Sequence, residues 1–267
     1  MTTAEPPTVS ERPTASERFF FDTNGYLLLE GVLDADHVRR LRSALEAAVE
    51  RRRDLARAGE QVFRVNQDLE NGTRIFYLLA EDGLFLDMMD LPGVMPYVTG
   101  LFNEKPHFHA SDAFWEHGAS GHPAGWHIDG ADNGYRGLGP YIPLLQLKIA
   151  YFLSDMSTPD QGNLTVVPGS HRARVPPDER DLQGFESLPG SVQLCCPQGS
   201  CVMFHNALWH TRGPSRRADG ERVILYYAYE HPWMAASPEP TSYPPEFYAG
   251  LSPARRQFFH PVVLPRD

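Results

Sequence analysis

The sequence predicts a mainly β fold in which flanking helices pack outside one core. From about residue 60 onward, short apolar runs alternate with Gly, Pro, Asp and Asn, a pattern typical of strands joined by turns. The chain also has 24 prolines among its 267 residues, well above the average share of about 5%. Both observations favour strands and loops over a helical bundle.

The N-terminal region is predicted to be the least β-rich part of the chain. Residues 1–16 are rich in Thr, Glu, Pro and Ser and are predicted to be a disordered tail. A single domain is then expected over residues 17–267, since no internal repeat or break in composition marks a second one. The segment RFFFDTNGYLLLEGVL, residues 18–33, predicts a short helix or turn followed by a strand.

An amphipathic helix is predicted to follow that strand. Asp34 is a suitable N-cap residue, and Asp36 would lie in the first turn. Apolar residues then recur at helical spacing up to about Arg57. These are Val38, Leu41, Leu45 and Ala48.

Four later segments carry the clearest strand signals. Each is an apolar, β-favouring run bounded by turn residues. They cover residues 144–155, 162–171, 190–210 and 221–230.

Charge and cysteine content exclude several classes of protein. The formal net charge of −10 argues against general binding to nucleic acid or to anionic membranes, which both require a basic surface. The three cysteines, Cys195, Cys196 and Cys201, are odd in number and lack C-x-x-C spacing, so reduced thiols are expected. No run of about 18 apolar residues is present. We therefore expect a cytoplasmic protein.

The stretch GWHIDG, residues 125–130, provides the first candidate for a metal site. Side chains two positions apart on a strand point the same way, so His127 and Asp129 would face one side together. His210, at the end of the strand-like run CVMFHNALWH, is the best candidate for a third ligand. Two histidines with one carboxylate are typical of non-haem Fe(II) oxygenases and leave coordination positions open.

An anchor for an anion follows the third candidate ligand. Arg222 opens the strand RVILYYAY, twelve residues after His210. A guanidinium can hold a carboxylate through two parallel hydrogen bonds. The four residues together predict a metal ion beside a bound carboxylate.

In their order, these motifs resemble the phytanoyl-CoA dioxygenase family. The resemblance is carried by WHID, by LKIAYFLSDMSTPDQGNLTVVPGSH, by HNALWHTRGPSRRADGER and by the opening DTNGYLLLEGVLDADHVRRLRSAL. It implies a double-stranded β-helix, a cupin-like jelly roll. It also implies that His127, Asp129 and His210 bind Fe(II), and that Arg222 pairs with the distal carboxylate of 2-oxoglutarate.

The same resemblance implies an oxidoreductase activity of this family. With O2, 2-oxoglutarate would be decarboxylated to succinate and CO2 while a C–H bond of a small metabolite is hydroxylated. Such a metabolite would be a natural-product or amino-acid-like intermediate. Desaturation, epoxidation and ring formation use the same ligands and remain alternatives. Asp129 disfavours halogenation, since related halogenases have a small residue at that position.

The chain departs from the family pattern just after His210. The family has a hydroxyl two residues after the histidine, where this chain has Arg212, and Thr211 comes one residue early. Arg212, Arg216 and Arg217 are therefore rivals to Arg222, although exposed positions in a loop are expected for all three.

Other histidines are weaker candidates for metal binding. His107 and His109 share the i, i+2 relation near Asp112, but a strand wall close to the site is the preferred interpretation. His205 lies five residues before His210 and would face the opposite side of the strand. His171, after a Pro-Gly turn, is expected to be structural.

Polar residues on one strand suggest further contacts to 2-oxoglutarate. Gln146 and Lys148 interrupt an apolar strand at period two and so share a face, which we assign to the barrel interior. We predict that one or both hydrogen-bond the cosubstrate.

The substrate pocket is predicted only from aromatic residues near these motifs. They are Phe114, Trp115, Trp126, Tyr135, Trp209 and Tyr229. The segment from Pro232 to Tyr248 is a candidate lid or homodimer contact. A cupin-like metal-binding isomerase or ligand-binding protein without oxidative turnover remains the alternative from another class.

Overall fold

The computed structural model describes most of the chain. The described residues are 12–60, 67–69, 71–119, 125–130, 138, 141–178, 180, 182, 188–234 and 243–259. Tyr135, one of the predicted pocket aromatics, lies outside them, as does most of the predicted N-terminal tail.

Two antiparallel sheets form the frame of the described structure. The larger has seven strands in the order β1-β8-β5-β10-β4-β3-β2, and the smaller has three in the order β7-β6-β9. The strands are β1 (Tyr26–Leu29), β2 (Gln67–Leu69), β3 (Gly72–Phe76), β4 (His107–His117), β5 (Gln146–Phe152), β6 (Leu164–Val166), β7 (Val192–Gln193), β8 (Cys201–His205), β9 (His210–Arg212) and β10 (Glu221–Glu230).

The helices flank the larger sheet, as the sequence predicts. Six α-helices and two short 3-10 helices, at Leu78–Ala80 and Ser170–Arg172, are found among the described residues. The α-helices are α1 (Ala15–Asn24), α2 (Ala35–Arg57), α3 (Gly83–Met89), α4 (Met95–Phe102), α5 (Pro245–Gly250) and α6 (Pro253–Arg256).

The two faces of the larger sheet have different partners. On β5, Leu147, Ile149 and Tyr151 are fully buried in a cluster with apolar residues of α2, α3 and α4. The alternating residues Ala150 and Phe152 are buried in a second cluster with Leu164 and Val166 of the small sheet. One face is therefore the outer wall under the helices, and the other lines the space between the two sheets.

The chain becomes regular earlier than the sequence predicts. Helix α1 starts at Ala15, and its N-cap Thr14 forms a capping box with Glu17. The Thr14 backbone N–H donates to Glu17 at 2.7 Å, and the Glu17 N–H donates back to the Thr14 hydroxyl at 3.3 Å. The predicted tail, which ended at residue 16, therefore extends too far, because this reciprocal capping fixes the start of the helix.

The predicted amphipathic helix is confirmed as α2. The Asp34 carboxylate accepts a 2.7 Å hydrogen bond from the backbone N–H of His37, which satisfies one of the free donors at the helix start. The four predicted apolar positions are all buried in the core. The predicted strand at 221–230 is also confirmed, as β10.

The cysteines agree with the prediction of reduced thiols. All three cysteines are free thiols, and two of them are buried. In the part of the chain that the structure describes, no helix combines the length and apolar character needed to cross a bilayer.

Replacing Asp34 by Ala should destabilise the protein. The substitution leaves the N–H of His37 without its acceptor, so the free energy of unfolding should fall by about 1 kcal/mol, measured by urea denaturation. Asp36→Ala is the control, because Asp36 makes only an exposed ion pair with Arg39 and should cause a smaller loss. Equal losses in the two variants would contradict the capping role.

Candidate active site

The three predicted metal ligands converge in the structure. His127 forms an isolated antiparallel bridge with His210, the first residue of β9. Each donates its backbone N–H to the other's carbonyl at 3.0 Å, and the Asp129 N–H donates to the Asn206 carbonyl at 2.8 Å. Backbone pairing thus brings His127 and Asp129 next to a segment that lies more than 75 positions later in the chain.

Each imidazole is oriented by a short backbone contact. His127 Nδ1 lies 3.0 Å from the Gly125 carbonyl and His210 Nδ1 lies 2.8 Å from the Leu208 carbonyl. A carbonyl can only accept, so both rings carry their proton on Nδ1 and leave Nε2 as the lone-pair nitrogen. The ring centroids are 4.3 Å apart. This arrangement is typical of histidines that ligate a metal.

The Asp129 carboxylate completes the group. Its Oδ1 accepts a 3.1 Å hydrogen bond from Lys148 Nζ. Its Oδ2 is buried without a hydrogen-bond partner and lies 3.8 Å from His210 Nε2. Ligand atoms of His127, Asp129 and His210 all lie within 4.8 Å of one another, and we call these three residues the metal group. An unpaired buried oxygen beside two lone-pair nitrogens fits a divalent cation of the first transition row.

Burial and charge set the protonation states of this group. Burial and the neighbouring His127 lower the pKa of His210 to about 3. Burial would raise the pKa of Asp129, but the Lys148 ammonium and the two imidazoles hold it below its usual value. A neutral imidazole and an ionised carboxylate at neutral pH are the forms that bind a metal.

A cavity of about 400 Å³ opens beside this group, between the two sheets. Its lining includes His127, His210 and the predicted residues Phe114, Lys148 and Arg222. The remaining lining residues are Leu69, Arg74, Asp112, Leu164, Thr211, Arg212 and Tyr226.

Arg222 is buried in the wall of the cavity, with 4% of its surface exposed. Its Nε donates to the Gly162 carbonyl at 2.7 Å, its Nη2 donates to the Tyr226 hydroxyl at 3.3 Å, and its Nη1 donates to Glu116. A guanidinium has five N–H donors. Among the described residues, these three bonds leave one donor on each terminal nitrogen for a bound carboxylate.

The three rival arginines differ in position. Arg216 and Arg217 have more than half of their side chains exposed and pair with Asp160 and Asp219, as expected for a loop. Arg212 does not fit that expectation, because it lines the cavity and its side chain is 13% exposed. Its Nε lies 3.5 Å from Glu116, the carboxylate that also pairs with Arg222.

Sequence reasoning missed an ion pair at the cavity wall. Arg74 on β3 donates to Asp112 on β4 at 2.6–2.7 Å, and its guanidinium lies over the rings of Phe76 and Phe114. Asp112 has the same strand parity as Phe114, so alternation along β4 could have found it. Arg74 lies in a segment that carries no motif.

The charges around the cavity favour an anionic ligand. Four cationic side chains, Arg74, Lys148, Arg212 and Arg222, face the three carboxylates Asp112, Glu116 and Asp129 with which they pair. The local balance is therefore +1 in a chain of net charge −10. A divalent metal ion would raise the local charge further.

Gln146 and Lys148 share the inner face of β5, as predicted, but only Lys148 lines the cavity. Gln146 is buried two residues before Lys148 on β5, opposite Glu230 of β10. Its predicted contact with a cosubstrate has no support in this geometry. Lys148 contacts the metal group through its hydrogen bond to Asp129.

Most of the predicted pocket aromatics do not line the cavity. Phe114 does. Trp115 lies on the opposite face of β4 from Phe114, and Tyr229 lies on the opposite face of β10 from Arg222. Both pack on the outer wall under the helices, so their assignment to the pocket is wrong. Trp126 and Trp209 form a separate cluster with Ile128 and Leu188. Tyr226, which has the strand parity of Arg222, lines the cavity instead.

The alternative histidines lie apart from the metal group. His107 and His109 both pair with Glu230. His205 accepts from the Ala207 N–H through Nδ1 at 2.9 Å, and its ring lies 4.9 Å from that of His171. His171 contacts the Asp22 carbonyl at 3.2 Å, in keeping with the structural role predicted for it.

Comparison with known proteins decides the family. The family model described as phytanoyl-CoA dioxygenase matches residues 21–222, about three quarters of the chain. The chain belongs to the phytanoyl-CoA dioxygenase family. The enzyme class predicted from the sequence, non-haem iron and 2-oxoglutarate-dependent dioxygenase, is the class of this family.

Relatives of this dioxygenase-family chain are distant in sequence. Peroxisomal phytanoyl-CoA dioxygenase of Rattus norvegicus is 21% identical over 237 residues, which are 78% of this chain and 66% of that protein. The human enzyme is 21% identical over 240 residues, 79% of this chain and 67% of that protein. The chain thus spans about two thirds of the length of these relatives.

Solved structures share the fold of the chain. EctD of S. alaskensis with bound Fe superposes with a TM-score of 0.67 at 22% identity and covers 89% of this chain and 82% of its own. HygX of Streptomyces hygroscopicus, with nickel, 2-oxoglutarate and hygromycin B bound, gives 0.63 at 19% identity, covering 83% and 89%. The carbocyclase SnoK from nogalamycin biosynthesis gives 0.60 at 18%, covering 85% and 87%. The predicted jelly roll is confirmed.

Truncating His210 should abolish tight metal binding. His210→Ala should weaken Co(II) or anaerobic Fe(II) binding by at least about 100-fold, since even the loss of a group that supports a ligand costs 10–100-fold. Calorimetric titration measures it.

The matched control for that variant is His205→Ala. It removes an equally buried imidazole from the same region, and metal affinity should be unchanged. A loss of affinity in the His205 variant, or none in the His210 variant, would contradict the assignment of the ligands.

Proposed function

We propose that the chain is a non-haem Fe(II)- and 2-oxoglutarate-dependent dioxygenase that hydroxylates a C–H bond of a small metabolite. The observation that carries this proposal is the group His127, Asp129 and His210 beside a cavity whose wall contains the buried Arg222. The products from 2-oxoglutarate would be succinate and CO2.

Different residues of the chain would bind the metal and the cosubstrate. Nε2 of both histidines and Oδ2 of Asp129 would hold the ferrous ion, which with 2-oxoglutarate and dioxygen supplies the oxidising chemistry. Lys148 holds Oδ1 of Asp129 and thereby leaves Oδ2 as the single ligand oxygen. Arg222 would bind the distal carboxylate of 2-oxoglutarate through its two remaining terminal donors.

The size of the cavity and the relatives support a small substrate. A volume of about 400 Å³ lies in the range of small-molecule sites. HygX holds hygromycin B, an EctD structure holds 5-hydroxyectoine, and SnoK is a carbocyclase. Hydroxylation is the first proposal, and ring formation, desaturation or epoxidation by the same ligands is the second.

A cupin-like isomerase or binding protein without oxidative turnover is less well supported. An exposed Arg222 would support that alternative, because such a protein does not need an arginine that binds the carboxylate of a cosubstrate. Arg222 is instead buried and held by three hydrogen bonds at the cavity wall. Arginine burial of this kind requires partners, and two donors are left for a ligand. The position of Arg222 therefore favours the oxygenase.

Anaerobic titration tests the proposal directly. Wild-type protein mixed with Fe(II) and then 2-oxoglutarate should develop the weak visible band of the chelate, with one equivalent of each bound. Succinate release over a panel of candidate metabolites would then identify substrates. The absence of the band in correctly folded wild-type protein would contradict the proposed function.

Removing the anchor should weaken cosubstrate binding more than metal binding. Arg222→Leu should cost about 2–5 kcal/mol of 2-oxoglutarate binding, partly because the distal carboxylate would be buried without a counter-charge. The anaerobic titration measures it. Arg217→Leu is the control, because Arg217 is exposed on a loop, and it should not change the affinity. Equal effects in the two variants would exclude Arg222 as the anchor.

Lys148 and Gln146 provide a second matched pair. Lys148→Met removes the donor to Asp129 Oδ1 and should weaken metal binding by about 10–100-fold, as loss of a group supporting a ligand does. Gln146→Met changes the neighbouring residue on the same face and should alter neither metal nor 2-oxoglutarate affinity. Unchanged metal affinity in the Lys148 variant would contradict its role in orienting Asp129.

A further inference from the structure

One partly buried ion pair at the cavity wall has no part in the proposed iron and 2-oxoglutarate chemistry. It joins Arg74 of β3 to Asp112 of β4, and both residues line the cavity. The side chain of Asp112 is 8% exposed, whereas that of Arg74 is 30% exposed. Because Arg74 lines the cavity and is only partly buried, part of its side chain is open to a ligand.

The contacts with Asp112 leave one edge of the Arg74 guanidinium free. Nε donates to Asp112 Oδ2 at 2.7 Å, and Nη2 lies 2.6 Å from the same oxygen. A planar guanidinium has five N–H donors, and these two contacts use the edge that Nε and Nη2 form. Among the described residues, Arg74 makes no other hydrogen bond or ion pair. The edge formed by Nη1 and Nη2 remains available, and it matches the two oxygens of a carboxylate.

Two aromatic rings help to hold this edge in place. The guanidinium carbon of Arg74 lies 4.3 Å from the ring centroid of Phe76 and 4.7 Å from that of Phe114. Contact with aromatic faces and pairing with a carboxylate both restrict the rotation of a long side chain. A side chain that is already ordered loses less entropy when it binds a ligand. Arg74 is therefore preorganised for a planar anion.

Arg74 and the proposed anchor Arg222 occupy different positions on the cavity wall. Arg74 is opposite Phe114 of β4, and Arg222 is opposite Glu116 of the same strand. The two arginines thus lie on the two strands that flank β4, at levels two residues apart. Arg222 is 4% exposed, far less than Arg74. The deeper arginine is the proposed anchor for the cosubstrate, and the more exposed one is accessible to a second ligand.

The ion pair also lies close to the metal group. Asp112 is opposite Tyr226 of β10. The Lys148 ammonium lies 5.4 Å from the centroid of the Tyr226 ring and donates to Asp129 of the metal group at 3.1 Å. Tyr226 therefore lies between Asp112 and the lysine that supports the metal group. A ligand held by Arg74 would lie in the same cavity as the metal.

The charge of the loaded site indicates which ligand would fit there. The four cationic side chains and three carboxylates around the cavity give a balance of +1. Fe(II) would add two positive charges, and the two carboxylates of 2-oxoglutarate would add two negative ones, so the balance would stay at +1. A buried charge without a counter-charge is costly. A ligand with a single negative charge would compensate it.

We propose that Arg74, oriented by Asp112, recognises the carboxylate of the primary substrate, so that the substrate is a monoanionic carboxylic acid. This inference rests on the proposed function, because it assigns Arg222 to 2-oxoglutarate and leaves Arg74 for the second ligand. The substrate would accept two parallel hydrogen bonds from Arg74, and its apolar part would contact Leu69 and Phe114 of the cavity lining. The C–H bond to be oxidised would lie between Arg74 and the metal group.

A fragment titration tests this carboxylate site without knowledge of the substrate. The protein is loaded with Zn(II), as a replacement for Fe(II), and with saturating 2-oxoglutarate, so that the proposed anchor is occupied. Hexanoate, hexanamide and hexylammonium are then titrated separately, and their binding is followed by saturation-transfer difference NMR. Hexanoate should bind at least about tenfold more tightly than the other two, and it should not displace 2-oxoglutarate.

Two conservative variants separate recognition from a structural role. Arg74→Lys keeps the positive charge beside Asp112 but cannot form two parallel hydrogen bonds with a carboxylate. It should weaken hexanoate binding by about tenfold and leave the affinities for hexanamide and 2-oxoglutarate unchanged. Arg255→Lys is the matched control, because Arg255 also pairs with aspartates, Asp87 and Asp90, and does not line the cavity. It should leave hexanoate binding unchanged.

Three results would overturn the inference. The first is hexanoate that binds no better than hexanamide, or that displaces 2-oxoglutarate. The second is hexanoate binding that Arg74→Lys does not weaken, or that both lysine variants weaken equally. The third is a loss of 2-oxoglutarate affinity in Arg74→Lys as large as that in Arg222→Leu, which would assign Arg74 to the cosubstrate.

A second variant and a separate readout keep the two proposals distinguishable. If Arg74→Lys does not fold, the double variant Arg74→Gln with Asp112→Asn replaces the ion pair by a neutral pair and provides the same comparison. If wild-type protein forms no iron chelate with 2-oxoglutarate, the proposed function fails. A hexanoate preference that Arg74→Lys removes and Arg222→Leu retains would still support the carboxylate site.

Discussion

The site is organised around one buried carboxylate with unequal oxygens. Asp129 Oδ1 is held by the Lys148 ammonium, and Oδ2 is buried with no hydrogen-bond partner beside His210 Nε2. A buried acceptor without a partner is costly, so the fold must hold it in place. It does so through the backbone pairing of His127 with His210 and through Asn206, whose carbonyl accepts from Asp129. A divalent cation would satisfy the unpaired oxygen.

The two faces of the larger sheet differ in a way that supports this arrangement. Its outer face is apolar and covered by helices, which leaves the inner face to carry charged residues. On β10 the charged Arg222 and Glu230 and the polar Tyr226 share this face with the apolar Ile224 and Ala228. Each buried charge on that face has a counter-charge or a hydrogen-bonding partner, as burial requires. The proposed anchor Arg222, the position opposite Lys148 and the buried Glu230 thus follow one another along one strand.

Much of this could be predicted from sequence because it depends on local patterns. Strand alternation predicted that His127 and Asp129 share a face, and that Gln146 and Lys148 share a face. The Asp34 N-cap and the helical spacing of the apolar residues after it predicted the position of α2. The same rule, applied to β4 and β10, would have selected Tyr226 over Tyr229 and rejected Trp115. Proximity to a motif was the wrong criterion for those aromatics, because neighbours on a strand face opposite sides.

What could not be predicted depends on contacts distant in sequence. Arg74 and Asp112, 38 residues apart, meet only because β3 pairs with β4. Glu116 joins Arg212 and Arg222, and no spacing rule links a carboxylate on β4 to both arginines. The pairing of Glu230 with His107 and His109 further requires a bulge whose position the sequence does not mark.

Anomalous diffraction from crystals grown with Mn(II) tests the account most directly. One manganese peak should lie between Nε2 of His127, Nε2 of His210 and a single oxygen of Asp129, with Lys148 on the other oxygen. A peak bound by other residues, or full-occupancy manganese that does not touch Asp129, would contradict it.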